Sequence, residues 1–312
     1  GAHTGAVYGF LNILFKVLGE ENPEYLAVVF DGCESTLEPE KYPEFKSEKN
    51  LIPQEMQDQI SVLKEILEKM GIAVLSYAGC RACDILGTLA KKSEEKNLNV
   101  IIFSGDGNLL QLASKKTVIR LLRAVKGQTL IADYIEEKVR ELYQITPAQL
   151  TDLKALVGDF ADYIPGIGEK TAIRMIAEYG SVEEIFSHLD EITQKHTREI
   201  LEKNSQQVLL NKQRAIISTD CTAEFDHEKF RLGDIYTKEA YELCRKLEFG
   251  SFLAKFDPAL VEENTMEQDI FTCSDFGGCE SLFEKAGKEE AVGISLLWDK
   301  EGVYCAGMVL NE

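Results

Sequence analysis

Two almost uninterrupted apolar runs constrain this chain most. Tyr25-Leu-Ala-Val-Val-Phe30 and Leu98-Asn-Val-Ile-Ile-Phe-Ser104 lack the strict alternation of a half-exposed strand. Each therefore reads as a strand covered on both faces. Ile72–Ser76 reads as a third strand, and amphipathic helices are expected over 4–19, Ile52–Met70 and Cys80–Lys96. Strands alternating with helices predict an α/β fold with a parallel sheet. Both long runs end in acidic turns, Asp31-Gly32 and Gly105-Asp106-Gly107-Asn108. Ligands of open α/β sheets bind beyond the carboxyl ends of strands, so Asp31 and Asp106 stand where a site would form. Taken singly, each also fits an ordinary turn aspartate.

Thr117–Arg123 and Gln128–Ala132 flank Lys126-Gly127 and predict a hairpin. After about residue 133 the strand signals stop. Asp133 is placed to cap a helix running through Tyr143, and further helices are expected near 181–189, 194–204, 205–216 and 237–249. Within this helical part lies Gly158-Asp-Phe-Ala-Asp-Tyr-Ile-Pro-Gly-Ile-Gly-Glu-Lys-Thr-Ala172. Asp159 and Asp162 are spaced so that both carboxylates can face one hard cation. Gly166, Ile167 and Gly168 lead into an amphipathic run, with Lys170 and Thr171 in its first turn. Glycines before a helix start let a ligand reach the first free amides, which suits a phosphate. A glycine turn between two core helices, with solvated aspartates, is the plain alternative.

Composition narrows the reading. The chain has 312 residues and net charge −19, which argues against a simple nucleic-acid binder with a basic face. No run of about 18 apolar residues suggests a membrane span. The eight cysteines are scattered, as expected of reduced thiols in a cytoplasm. Cys80 and Cys83 form one Cys-x-x-Cys, but without a second pair at metal spacing they do not suggest zinc. Gly1 is not an initiator, so a cut piece of a longer chain is expected.

Read in order, the chain resembles the 5′-nuclease domain of bacterial DNA polymerase I. The string Gly158–Gly166 resembles its Gly-Asp-x-x-Asp-x-Ile-Pro-Gly signature, within a helix–hairpin–helix. Thr4–Phe10, Phe30-Asp31, Tyr42–Lys46, Ser181–Ile185, Thr219-Asp220 and Leu247–Ser251 are similar to other landmarks of the family. The resemblance implies a fold of four parts. These are an α/β 5′-nuclease (PIN-like) domain over 1–132, with its first strand lying before Gly1, and a helical helix–hairpin–helix subdomain over 133–256. A linker over 257–268 and a partial 3′-5′ exonuclease-like domain over 269–312 follow.

The family hydrolyses phosphodiesters with two cations held by carboxylates. By resemblance, Asp31, Asp84 and Asp106 are the catalytic carboxylates, and Asp106, Asp159 and Asp162 hold metal. Gly166, Ile167, Gly168, Lys170, Thr171, Lys46 and Lys49 contact DNA, a 5′-flap or nicked duplex. Mg²⁺ is the implied cofactor, with K⁺ at the hairpin. The implied partner beyond DNA is the rest of a polymerase chain; the protein is expected to be a cytoplasmic monomer.

The departures count as much. Arg81-Ala82-Cys83-Asp84 stands where the family has Glu-Ala-Asp-Asp, and Asp106-Gly107-Asn108 where it has Asp-Lys-Asp. Leu37-Glu38 replaces a Phe-Arg of the clamp. A fixed cation beside a cation site costs on the order of 4 kcal/mol at an effective dielectric near 20. The expectation is a DNA-binding 5′-nuclease-like region used in replication and repair, with a degenerate metal centre. An active Mg²⁺-dependent flap nuclease and an acidic, non-catalytic interaction module are the alternatives.

Overall fold

The computed structural model describes residues 4–31, 52–125, 128–158, 162–221 and 226–257, and the backbone of 292–299 and 302–310. The chain forms two compact units, Gly1–Phe256 and Asp257–Glu312.

The first unit opens with α1 (Gly5–Glu21), whose Val7, Leu11 and Leu14 are buried at helical spacing. The helix stops at Asn22, in the left-handed region at φ 43°, where its N–H reaches the Leu18 carbonyl. Asparagine tolerates that conformation better than most residues. Strand β1 (Ala27–Val29) pairs in parallel with β2 (Ala73–Leu75), joined through α2 (Gln54–Lys69). Helix α3 (Ala82–Glu95) then leads to β3 (Val100–Ser104). β3 is parallel to β4 (Thr117–Val125), and β4 is antiparallel to β5 (Gln128–Tyr134). The expected parallel sheet is thus two small sheets among the described residues, one of two strands and one of three.

Asp133 does not cap a helix. It lies in β5 directly opposite Arg120 of β4, and the two form a bidentate ion pair at 2.6 and 2.7 Å. Arg120 also bonds Glu21 of α1. The following helix, α4 (Glu136–Tyr143), has Ile135 at its N-cap with no side-chain cap. Cross-strand pairing therefore outcompetes capping for this carboxylate.

The helical part comprises α5 (Leu150–Val157), α6 (Glu169–Tyr179), α7 (Val182–Ser187), α8 (Lys195–Lys203) and α9 (Ser205–Ala215). α9 packs on α5. Lys212 of α9 reaches buried Asp152 of α5 at 2.7 Å and also Glu183 of α7. Asp152 in turn accepts from the Val182 N–H at 2.9 Å. Burial works against the Lys212 charge, but its two carboxylates raise it above the ordinary lysine range. This triad fixes the helices that carry the glycine hairpin. Helices α10 (Lys238–Lys246) and α11 (Gly250–Leu253) return to the front of the unit. There Phe252 packs at a tilt against Tyr8 and Phe15 of α1, with ring centroids 5.0 and 5.3 Å apart.

The second unit shows one antiparallel pair, β6 (Val292–Asp299) and β7 (Gly302–Leu310). The helix expected near 279–286 and nearly all of the expected linker lie outside the described residues.

Candidate functional site

Helix α3 gathers the surviving carboxylates. Asp31, just past β1, accepts the Ala82 N–H at 2.7 Å and so sits at the amino end of α3. A carboxylate is favoured there by the helix dipole. Asp84 is buried in the first turn. Asp106, beyond β3, turns one oxygen to the Asn108 N–H at 2.8 Å and caps the short 3₁₀ turn Gly107–Leu112. Their nearness shows in the Cys83 thiol. Burial pushes it up, Arg81 pulls it down, and Asp84, Asp106 and Asp31 each push it up.

Arg81 dominates the cluster. Its Nε and Nη2 donate to the two Asp84 oxygens at 2.8 and 2.7 Å. Nη1 donates to the Arg214 carbonyl at 2.9 Å and Nη2 to the Ile216 carbonyl at 2.7 Å. Asp84 also accepts the Ser218 N–H at 2.8 Å. Burial opposes its charge, yet the Arg81 guanidinium and that N–H hold its carboxyl below the ordinary range. The charge of Arg81 is thus spent inward rather than presented to a ligand.

The segment after α9 straps across α3. The Cys221 N–H donates to Thr88 Oγ1 at 3.0 Å, and Lys91 pairs with Asp220 at 2.9 Å. Gly87 leaves room for the strap, since a Cβ there would lie 2.8 Å from Ile217 Cγ2. Cys80 and Cys221 are joined by a disulfide, which corrects the expectation of reduced thiols throughout. The bond links residues 141 positions apart, a proximity set by the strap and invisible in local spacing.

Asp162 is held by a second arginine. Its Oδ2 lies 2.7 Å from Arg214 Nη1, and its carbonyl accepts from Asn211 at 3.0 Å. Asp159, Lys46, Lys49, Leu37 and Glu38 lie outside the described residues, so their expected roles are not placed. Sequence reasoning missed Arg214, which carries no local signal.

Among the described residues this arrangement does not bring together the oxygens that a pair of hard divalent cations needs. Such ions need several carboxylate oxygens turned to one point. Asp84 gives both oxygens to Arg81, Asp162 gives one to Arg214, and Asp31 and Asp106 give one each to backbone N–H groups. Among the described residues no group of three or more His, Cys, Asp and Glu side chains is arranged to hold a metal ion.

The glycine hairpin is differently built. Ile164 and Ile167 are buried anchors, while Gly166, Gly168 and Lys170 are exposed and Thr171 is half-buried. Gly166 has φ +96°, and a Cβ on it would lie 2.4 Å from Ile200 Cδ1 of α8. The fold therefore demands glycine there. A Cβ on Gly168 would meet nothing within 4 Å. Gly168 is the N-cap of α6 and brings no side-chain cap, so the first amides of that helix are left to solvent or a ligand.

Known proteins share this construction. Residues 1–144 match the family described as 5′-3′ exonuclease, N-terminal resolvase-like domain, and residues 145–238 match 5′-3′ exonuclease, C-terminal SAM fold. The chain is 37% identical over 290 residues to DNA polymerase I of Bacillus caldotenax, covering 92% of this chain and 33% of that protein. It is 36% identical over 275 residues to DNA polymerase I of Bacillus subtilis, covering 86% and 31%. The chain thus spans about a third of the length of these relatives. Among solved structures, the bacteriophage T5 D15 protein co-crystallized with metal ions superposes with a TM-score of 0.57 at 18% identity, over 77% of this chain and 90% of that one. The catalytic core of Rad2 in complex with DNA substrate gives 0.53 at 17% identity, over 82% and 87%. These two likenesses concern the fold, a mixed α/β unit with a helical part. The chain belongs to the 5′-3′ exonuclease family, in the branch that forms the amino-terminal 5′-nuclease domain of bacterial DNA polymerase I.

No helix among the described residues is long and apolar enough to cross a membrane.

Proposed function

We propose that this chain is a DNA-holding arm of a DNA polymerase I that serves replication and repair in the cytoplasm, with little or no cleavage of its own. The carrying observation is the bidentate hold of Arg81 on Asp84 at 2.7 and 2.8 Å. Asp31, Asp84 and Asp106 are then vestigial catalytic carboxylates. Asp106, Asp159 and Asp162 form a remnant site where Mg²⁺ binds weakly or not at all. Gly166, Ile167, Gly168, Lys170 and Thr171 receive a DNA phosphate at the hairpin, where K⁺ can bridge carbonyls to the backbone. Lys46 and Lys49 assist from the clamp. The preferred ligand is a 5′-flap or nicked duplex, and the arm works as a monomer attached to the rest of its polymerase. The division at 132/133, 256/257 and 268/269, with a partial exonuclease-like domain at the end, belongs to the same reading.

The test is a cleavage assay on 5′-flap DNA with Mg²⁺, alongside binding measured across a salt series. The expected result is salt-dependent binding without turnover. Turnover abolished by changing Asp159 and Asp162 would instead establish an active nuclease. The net charge of −19 supports one further reading, an acidic interaction module. Undetectable DNA binding at low salt would favour it.

A further inference from the structure

We infer that Arg81 and Arg214 are resident counter-ions, each occupying a carboxylate that a divalent cation would otherwise need. Their joint effect is to make the folded state indifferent to divalent metal. This rests on the reading above but goes further, because it gives an arginine partner to Asp162 as well as to Asp84. Arg81 takes both oxygens of Asp84, and Arg214 takes Oδ2 of Asp162 at 2.7 Å. The two are consecutive in one network, since Arg81 Nη1 donates to the Arg214 backbone carbonyl at 2.9 Å. Neither pair floats on the surface: the side chains of Arg81 and Asp84 are 32% and 12% exposed, those of Arg214 and Asp162 22% and 24%.

The guanidinium geometry explains why these pairs persist. A planar fork satisfies a carboxylate bidentately while its remaining N–H groups reach carbonyls, all from one tethered side chain. Arg81 uses that capacity on the Arg214 and Ile216 carbonyls and so also seats the start of the strap. To bind at either aspartate a cation would have to displace an arginine and leave its charge half-buried and unpaired, an unfavourable exchange.

The experiment uses the whole chain. Mn²⁺ is titrated while its free-ion EPR signal is followed, and thermal unfolding is compared in EDTA and in millimolar Mg²⁺. The unaltered chain is expected to leave the Mn²⁺ signal free and to melt at one temperature in both buffers. Arg214→Ala, and Arg81→Glu with Arg214→Ala, are expected to take up Mn²⁺ at least about tenfold more tightly, with Mg²⁺ now raising the midpoint by mass action. Stoichiometric Mn²⁺ uptake by the unaltered chain would overturn the inference even if the chain cleaves nothing. A folded Arg214→Ala chain that gains no uptake would overturn it too. Should the double variant not fold, the unaltered chain and Arg214→Ala still decide. Flap cleavage with the Mn²⁺ signal still free would instead strike at the proposed function.

Discussion

The α3 cluster and the glycine hairpin sit in one unit and are built on opposite principles. Around α3 the acids are tied into the fold: Asp84 is buried, Asp106 half-buried and Asp31 exposed, and an arginine and backbone N–H groups take oxygens from each. At the hairpin the apolar residues face inward, and glycines, a lysine and helix amides face out. The first arrangement spends its polar groups on holding the strap to α3. The second leaves its polar groups for something that arrives. A nuclease needs both faces open at once, whereas a binding arm needs only the second.

The sharpest way to break this contrast is at Arg81. Arg81→Ala would leave buried Asp84 without its arginine and remove the Arg81 N–H groups from the Arg214 and Ile216 carbonyls. A loss of about 2–3 kcal/mol is expected, less than for a fully buried pair because Arg81 is a third exposed. Urea unfolding measures it, and a change below half a kcal/mol would mean that the network is ornamental. Next comes Gly166→Ala. A positive φ together with a side chain pressed on Ile200 predicts a cost of about 1–3 kcal/mol. DNA affinity should fall in the same variant, because the turn itself must shift. Unchanged stability and affinity would show that the hairpin is looser than its packing implies.

The contrast also marks how far the sequence could be read. The hairpin and its flanking apolar anchors were visible because glycine, proline and helical spacing are local signals. Asp31 follows β1 and Asp106 follows β3, positions that the apolar runs announce, whereas Asp84 lies in the first turn of α3 itself. The Arg120–Asp133 pair was readable in principle. Counting back from the Lys126-Gly127 turn puts the two residues opposite each other, but an acid just before a helical stretch also reads as a cap. Arg214 was not readable. It meets Asp162 only because α9 packs on α5, and nothing in the residues between them records that packing. The same holds for Cys80 and Cys221, which meet through the strap.

A milder change tests the outward face alone. Lys170→Glu reverses an exposed charge in the first turn of α6 while leaving the anchors Ile164 and Ile167 in place. Duplex affinity should drop about tenfold, with a shallower salt dependence and an unfolding midpoint within about half a kcal/mol of the parent. A large stability loss instead would assign that lysine to the inward-facing kind and blur the distinction between the two regions.

The smallest effect is one of pH, and it belongs to the α3 cluster alone. The folded-state pKa of Asp84 is depressed, so its contribution to stability is complete above the unfolded carboxylate value of about 3.9. It is lost as pH falls through the lower folded value. The stability gap between the parent and Asp84→Asn should therefore be constant from neutral pH down to about pH 5, then narrow on further acidification. Lys170→Glu changes an exposed charge with no comparable partner, so its gap should not track that window. Urea midpoints taken across the acid range separate the two. A parent–Asp84→Asn gap that ignores acid would mean that Arg81 does not hold that carboxylate in solution, and the inward half of the comparison would lose its physical basis.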